Sequence, residues 1–415
     1  MIQEYYANLA NKSVSKKIKR GRQVRMISRK NHLNLQIKLM ELVQFGCEDW
    51  LNVWEKSATI DIAQSTIDSL SLEEVLAFEE DKGEAFMSQM MKEKFSYGWI
   101  EGSPAFKSEV AKLYKRVSED NILSTNGATG ANFLTILGLI GQGDHVIAQY
   151  PSYQQLYDWP KTLGAQVDYW KIKEENHWLP QIEDLRRLVK PNTKLICLNN
   201  AAQPTGAIMS PDFLAEVVEI ARSVDAYILC DEVYLPLDEE TSYAPIADLY
   251  EKGISTNSIS KTYSVPGIRV GWVATQDRDL CNEFRKIRDY TLICTGVFDD
   301  ALASLVLKHK DKVLARARDI VKGNLSILKE WVENEPLVSM VYPNAVSVSF
   351  VKFEQLDPMK TEDFAIQLLR EKGVLIIPGN RFDLPGYARI GYCTDKKTLR
   401  QGLQLLSEFL REYKG

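Results

Sequence analysis

The chain has 415 residues, of which 45% are hydrophobic and 26% charged, and a net charge of −5. That is longer than one core usually supports, about 250 to 300 residues, so two domains are expected. No apolar run approaches the roughly 20 residues of a membrane-spanning helix, so the composition excludes that class and fits a cytoplasmic globular enzyme.

The sidedness of charge appears at once. Residues 1–38 carry ten Lys/Arg against one acidic residue, Glu4, a net of +9 that leaves −14 on the remainder. This stretch has neither the apolar core of a signal peptide nor the aromatic interleaving of a nucleic-acid groove, so it reads as a poorly packed basic tail. Neither a nucleic-acid nor a membrane partner is expected.

From about Leu123 short apolar runs alternate with helical stretches, the pattern of an α/β domain with a mainly parallel sheet. The strands expected are HVIAQY, QVDYWKI, KLICLNN, AYILCDEV, NSIS and RVGWVAT. Between them SPDFLAEVVEIARSV opens on Ser-Pro-Asp, a helix start, and keeps apolar residues at helical spacing. After about Asp300 come long amphipathic runs (ALASLVLKHKDKVLARARDIVKGNLSILKEWVEN) and then VSVSFVKF, VLIIPG and ARIGYC, which read as a smaller α+β domain. No repeat, low-complexity linker or proline-rich hinge separates the two.

Cysteine and histidine usage narrows the chemistry. Six cysteines form no CxxC pair, and Cys197 and Cys230 sit in apolar strand-like runs, as reduced core thiols do. Four histidines form no HExxH, so no metal site is expected.

Three strand ends carry the residues that could react. TNGATGANFLTILGLIG (125–141) opens an apolar helix on Gly127, Ala128 and Thr129, whose free N–H groups favour an anion. Neither GxxxxGK nor a strand-linked GxGxxG is present, which argues against a nucleotide site. AYILCDEVY places Asp231 and Tyr234 at a strand's carboxyl end, where open α/β sheets gather ligands. Lys261 follows the apolar NSIS run. An anion cradle, a carboxylate and an amine together match the needs of pyridoxal phosphate: its phosphate, its ring nitrogen and the aldehyde that a lysine captures.

With these residues in view, SISKTYSVPGIRVGW (258–272) resembles the SxSKxxxxPGxRxGW signature of fold-type I pyridoxal-phosphate enzymes of the class I/II aminotransferase family. YGWIEGSPAFKSEVAKLY, NGAT, YPSYQQLY, QPTG, DEVY, VLIIPGNRF and YARIGYC resemble further family motifs, in the family's order, over roughly residues 60–415. The resemblance implies a large cofactor-binding α/β domain (95–300), a small α+β domain (301–415) and a segment, 39–94, that joins the small domain and forms a substrate wall.

The resemblance also implies roles. Lys261 would hold the cofactor and move the substrate's α-proton, and Asp231 would pair with the ring nitrogen. Tyr234 would bond the phenolic oxygen and Tyr153 would stack on the ring. Gly127, Ala128, Thr129, Ser258 and Arg269 would grip the phosphate, Arg269 through its planar fork. Tyr97 would reach the phosphate of a neighbouring subunit, implying a homodimer with shared sites. Arg389 would bind the substrate α-carboxylate.

Departures are equally specific. Gln203 stands where the family has asparagine, so the bond to the phenolic oxygen is expected from Gln203 or from Asn200. IDIAQSTIDSLS replaces a Gly/Pro-rich stretch, which makes Gln64 and Ser65 candidate substrate contacts. RDYTLICTGVFDD lacks the second arginine of dicarboxylate-specific members, which disfavours an aspartate-type substrate. CEDWLNVWEK followed by DIAQS is similar to capreomycidine synthase-like, cyclising members.

The reaction expected is therefore transfer of an α-amino group to a 2-oxo acid by ping-pong half-reactions. β-Elimination or cyclisation on the same scaffold is the alternative. A non-catalytic, cofactor-binding regulator is a third reading, which would need a DNA-binding domain that residues 1–38 do not spell out.

Overall fold

The computed structural model describes residues 42–414; the basic tail lies outside the described residues. Helix α1 (Gly46–Trp54) leads to the short strand β1 (Ile60–Asp61). A seven-stranded sheet follows, made of β2 (Ile122–Asn126), β3 (His145–Tyr150), β4 (Gln166–Lys171), β5 (Thr193–Asn199), β6 (Tyr227–Asp231), β7 (Gly253–Ser258) and β8 (Val270–Thr275). Its spatial order is β2-β8-β7-β6-β5-β3-β4, parallel except that β8 runs against both β7 and β2.

The inner strands are buried on both faces and read as unbroken apolar runs, whereas edge strand β4 is half-exposed and carries polar residues. Helix α2 (Gly127–Leu139) leaves β2 directly, and α3 (Pro211–Ser223) starts where Ser210 Oγ accepts the Phe213 N–H at 3.2 Å, with proline as its first residue.

The long amphipathic run after Asp300 is two helices, α4 (Val297–Lys308) and α5 (Lys310–Asn334), separated at His309. Beyond them β9 (Val338–Met340), β10 (Ser349–Phe353), β12 (Ile377–Pro378) and β13 (Tyr387–Ile390) form an antiparallel sheet ordered β12-β13-β10-β9. The run VLIIPG divides because β11 (Val374–Leu375) pairs with β1 while β12 pairs with β13, so the chain changes sheets at Ile376. Helices α6 (Thr361–Lys372) and α7 (Lys396–Glu412) add apolar side chains to the same core.

That core includes the chain preceding the large sheet. Trp50, Ile60 and Ile62 pack with Phe350, Leu375 and Phe382, and the Trp50 indole donates to Ile376 O at 2.9 Å. Truncating a fully buried tryptophan of this kind costs about 3–5 kcal/mol. The segment between α1 and residue 70 is thereby anchored, and it runs past the carboxyl edge of the large sheet. Among the described residues no helix is long and apolar enough to cross a membrane.

Candidate active site

Strand direction gathers the reactive residues. Because β2, β5, β6 and β7 are mutually parallel, their carboxyl ends share one edge, and because β8 is antiparallel its amino end lies there too. The register fixes the row: Asn126 opposes Val270, Ser258 opposes Gly271, and Asp231 lies between Thr256 and Asn199. Gly127, Arg269, Lys261, Asp231 and Asn199 therefore come to one place from five separate stretches of chain. There Arg269, Lys261, Asp231 and Asn199 border a cavity of about 800 Å³, lined among others by Ala128, Thr129, Tyr153, Gln203, Tyr234, Ser258 and Arg389.

The floor of this cavity is buried and hydrogen-bonded. Asp231 is buried; its Oδ2 accepts from Asn132 Nδ2 at 2.6 Å and its Oδ1 from Val233 N at 3.3 Å. Asn132 is held in turn by the Thr256 hydroxyl, which donates to its Oδ1 at 2.6 Å. Burial pushes the Asp231 carboxyl up from 3.8 to about 6, against the pull of these bonds and of Lys261. The Tyr234 hydroxyl donates to Gln203 Oε1 at 2.9 Å, and burial pushes its phenol up, so it stays protonated. Tyr153 OH lies 3.0 Å from Thr129 Oγ1.

Lys261 Nζ donates to Ser65 Oγ at 2.7 Å. Burial, reinforced by Arg389 and Arg269 and opposed by Glu48 and Cys47, lowers its ammonium from 10.5 to about 8. About a tenth of the amine is thus neutral and nucleophilic at pH 7, and about half near pH 8.

Both arginines are unpaired with carboxylates among the described residues. Arg269 takes a left-handed φ of 54° and is followed by β8, with its guanidinium against the bare backbone of Gly127. A Cβ on Gly127, whose own φ is 68°, would stand 2.7 Å from Arg269 Nη2. Arg389 occupies the central position of the small sheet, opposite Phe350 and Ile377, and is 1% exposed. Its Nη2 donates to Ala63 O at 2.8 Å, while its Nε has no partner.

The facing wall is the 61–70 segment, stitched to both halves. Ile67 N bonds Lys261 O at 3.3 Å and Leu70 N bonds Ser264 O at 2.9 Å on one side; Gly391 N bonds Ile62 O at 2.9 Å and Asp68 N bonds Cys393 O at 2.8 Å on the other. Gly391 is required by this approach, since any Cβ there would collide with the Gln64 carbonyl. The two substrate candidates differ: Ser65 bonds Lys261, whereas the Gln64 amide turns to Asp61 Oδ2 at 2.9 Å and Glu55 Oε1 at 3.3 Å.

Two expected cofactor contacts stand elsewhere in this chain. Asn200 is a correction: its side chain is spent on the Met209 backbone, donating to O at 3.2 Å and accepting from N at 2.8 Å, and Asn199 borders the cavity instead. Asn199, the last residue of β5, is itself hydrogen-bonded, its Nδ2 donating to Asp231 O at 3.1 Å and its Oδ1 accepting from Gln203 N at 2.8 Å. Tyr97 lies on the surface, 83% exposed, beside a separate hollow with Trp99 and Val297. Asn132, Cys47 and Glu48 were missed. Asn132 had a signal in the sequence, an amide within the otherwise apolar helix α2; Cys47 and Glu48 open the CEDWLNVWEK run, whose resemblance to cyclising members assigned them no role.

The donor set fits pyridoxal phosphate. An unpaired guanidinium stands at the amino end of a 13-residue helix, a buried carboxylate has no cation partner, a depressed amine is at hand, and Ser260 Oγ is buried on the cavity wall without a partner.

Fold and site thus define a fold-type I, pyridoxal-phosphate-dependent enzyme scaffold. The aminotransferase class I and II family matches residues 60–406, and the chain belongs to that family. Pyridoxal phosphate is its cofactor. Capreomycidine synthase of Streptomyces vinaceus is 27% identical over 367 residues, 88% of this chain and 92% of that protein. An aspartate aminotransferase of Sulfolobus acidocaldarius is 27% identical over 322 residues, 73% of this chain and 78% of that one. The crystal structure of a PLP-dependent aminotransferase from Streptococcus suis 89-1591 is similar with a TM-score of 0.87 at 53% identity, covering 90% of this chain and 99% of that one.

Proposed function

We propose that the protein is an aminotransferase that removes the α-amino group of an amino acid and passes it to a 2-oxo acid in two half-reactions. The observation that carries this reading is one cavity holding a depressed amine, Lys261, beside a buried and carboxylate-free guanidinium, Arg389. When bound, pyridoxal phosphate supplies an aldehyde that captures amines and a ring that withdraws electrons from the substrate's Cα.

The chain's own groups do the rest. Gly127, Ala128, Thr129, Ser258 and Arg269 hold the phosphate end. Asp231, fixed by Asn132, presents its carboxylate to the ring nitrogen, and Tyr153 covers the ring. The Gln203 amide, its oxygen held by the Tyr234 hydroxyl, donates toward the phenolic oxygen, and Tyr234 stands beside it. Arg389 grips the substrate carboxylate through its planar fork, which sets the Cα–H bond toward Lys261. The Lys261 amine then takes that proton and delivers it onward as a general acid and base. Exposed Tyr97 is assigned to the phosphate end of a second subunit, so the working unit is a homodimer.

The test is a single turnover of the holoenzyme with individual amino acids and no acceptor. One 2-oxo acid per site, with the amine retained on the protein and no ammonia, is expected. Continuing release of ammonia would overturn the reading in favour of a lyase.

A further inference from the structure

We infer that the protein carries a second binding site, for a carboxylate with an apolar body, in a cavity behind the sheet-edge strands. The inference is independent of the reaction assigned to the first cavity.

This second cavity has a volume of about 600 Å³ and shares no lining residue with the first. That volume suits a small organic ligand. Its inner wall is the reverse of the active-site edge: Asp231 and Ser258 border the first cavity, and their chain neighbours Glu232 and Asn257 border the second. Within β7 the alternation of a strand sends Asn257 and Ser258 to opposite sides.

The inner wall holds donors that the chain leaves unused. Tyr263 borders the cavity at 0% exposure, and its hydroxyl has no hydrogen-bond partner. Burial pushes its phenol up, so the proton stays on the oxygen and is there to be donated. Asn257 is buried and spends its Oδ1 on the Ser258 N–H at 2.7 Å, which leaves its Nδ2 without a partner among the described residues. Buried polar groups are nearly always bonded, so unused donors on a cavity wall mark a place for an acceptor oxygen. Glu232 opposes an anion only weakly there. Its carboxyl accepts the Ile246 N–H at 2.7 Å, and burial pushes it up from 4.5 to about 8, so it is mostly protonated at pH 7.

A second observation, the charge of the outer lining, points the same way. Lys310, Leu314 and Arg318 recur every fourth residue along α5, which sets them on one face of that helix, and Lys115 and Arg116 stand on the lining with them. Among the described residues none of these four cations has a carboxylate within salt-bridge distance, and Arg318 Nε bonds the Leu237 carbonyl at 3.0 Å. Asp248, the other acid on the lining, is committed to the Lys115 and Arg116 backbone N–H groups at 2.9 Å. Asp311, which also acts on the Tyr263 phenol, is not on the lining. The remaining surface is largely hydrocarbon, with Leu113, Leu235 and Leu314 beside the rings of Tyr114 and Tyr243. An inorganic anion would leave those leucines uncovered, and a neutral hydrocarbon would leave the donors and cations unanswered. An apolar carboxylate meets all three.

The experiment titrates the holoenzyme by calorimetry with 3-phenylpropionate and octanoate, and with the matching neutral amides, 3-phenylpropionamide and octanamide. Each acid is expected to bind at least about tenfold more tightly than its amide, and raising the salt from about 0.05 to about 0.5 M should narrow that gap. Tyr263→Phe should weaken acid binding about fivefold while leaving the thermal midpoint of the ligand-free protein unchanged or higher, since it removes an unsatisfied buried hydroxyl. The double variant K310Q/R318Q should bring acid and amide to within about threefold of each other. Arg389→Gln is the control for the first cavity and should leave acid affinity unchanged.

No binding of either acid would leave the cavity to water and overturn the inference, as would an acid that binds no better than its amide. Binding lost in Arg389→Gln but kept in Tyr263→Phe would put the acids in the first cavity and overturn it equally. Should the double variant fail to fold, Tyr263→Phe and the salt dependence decide the matter by themselves. Ammonia release in the single-turnover test would sink the aminotransferase reading and leave this one standing.

Discussion

The two walls of the cavity are built on opposite terms. The sheet-edge wall, with Asp231, Lys261, Tyr234 and Arg269, is assembled from strand ends that the hydrogen-bond ladder holds in fixed register; Asp231 and Tyr234 are buried and hydrogen-bonded, Lys261 is half-buried and Arg269 is exposed. The facing wall, residues 45–70, has almost no sheet of its own: β1 is two residues long, α1 and the apolar residues after it are packed into the small-sheet core, and residues 62–70 are tied by individual bonds to Lys261 and Ser264 on one side and to Gly391 and Cys393 on the other. The first wall shifts proton affinities by excluding water. The second presents carboxylates to a cavity that remains open to solvent. A cofactor that never leaves suits the rigid wall, and an exchangeable substrate suits the other.

The largest expected effect comes from breaking the sheet-edge wall chemically without disturbing its packing. Lys261→Ala removes one amine and one bond to Ser65. Turnover should fall by about 10⁴-fold or more and the lysine-bound cofactor's visible absorption should disappear, while the thermal midpoint stays within a few degrees. Retained turnover, measured with the best amino donor, would remove Lys261 from the mechanism.

Breaking the facing wall requires a steric change. Gly391→Ala drives a methyl group into the Gln64 carbonyl, and should cost about 3 kcal/mol in urea unfolding, near the top of the range for overpacking. Because Ser65 and Arg389 are positioned through this contact, KM for the amino donor should rise while the cofactor's absorbance is kept. A stable variant with an unchanged KM would show that the wall is not set by this approach.

The smallest effect is a pH dependence that sharpens the contrast. Capture of pyridoxal phosphate by apoprotein needs a neutral Lys261. With its ammonium lowered from 10.5 to about 8, the capture rate should climb about tenfold per pH unit below 8 and level above it. Arg389→Gln removes a nearby cation that favours the neutral amine, so the plateau should move to higher pH. A stopped-flow profile still climbing beyond pH 9 in the unaltered protein would mean that the site is wetter than its burial implies.

Sequence alone determined the large α/β sheet and the sheet-edge wall. Buried parallel strands are continuous apolar runs of six or so residues, legible without neighbours, and HVIAQY corresponds to β3 residue for residue. Asp231, Lys261 and Arg269 stand at or just beyond expected strand runs, whereas Gly127 was found from its small-residue helix start, the strand β2 before it not being among those expected. NSIS was read too late because Gly253 and its neighbours look like a loop until the ladders to β6 and β8 are seen.

What only the tertiary structure decided was orientation and long-range partnership. Asn199 rather than Asn200 borders the cavity because the Asn200 amide is held by the Met209 backbone just past the end of β5, a pairing that composition does not record. Asn132 supports Asp231 across 99 positions, and Ser65 meets Lys261 across 196. Glu48, Glu55 and Asp61 lie within the CEDWLNVWEK and IDIAQSTIDSLS runs, which by themselves give these acids no partner. Their lack of cations is a property of the folded cavity, since charge balance depends on which distant groups approach within a few ångströms and local pattern carries no record of that.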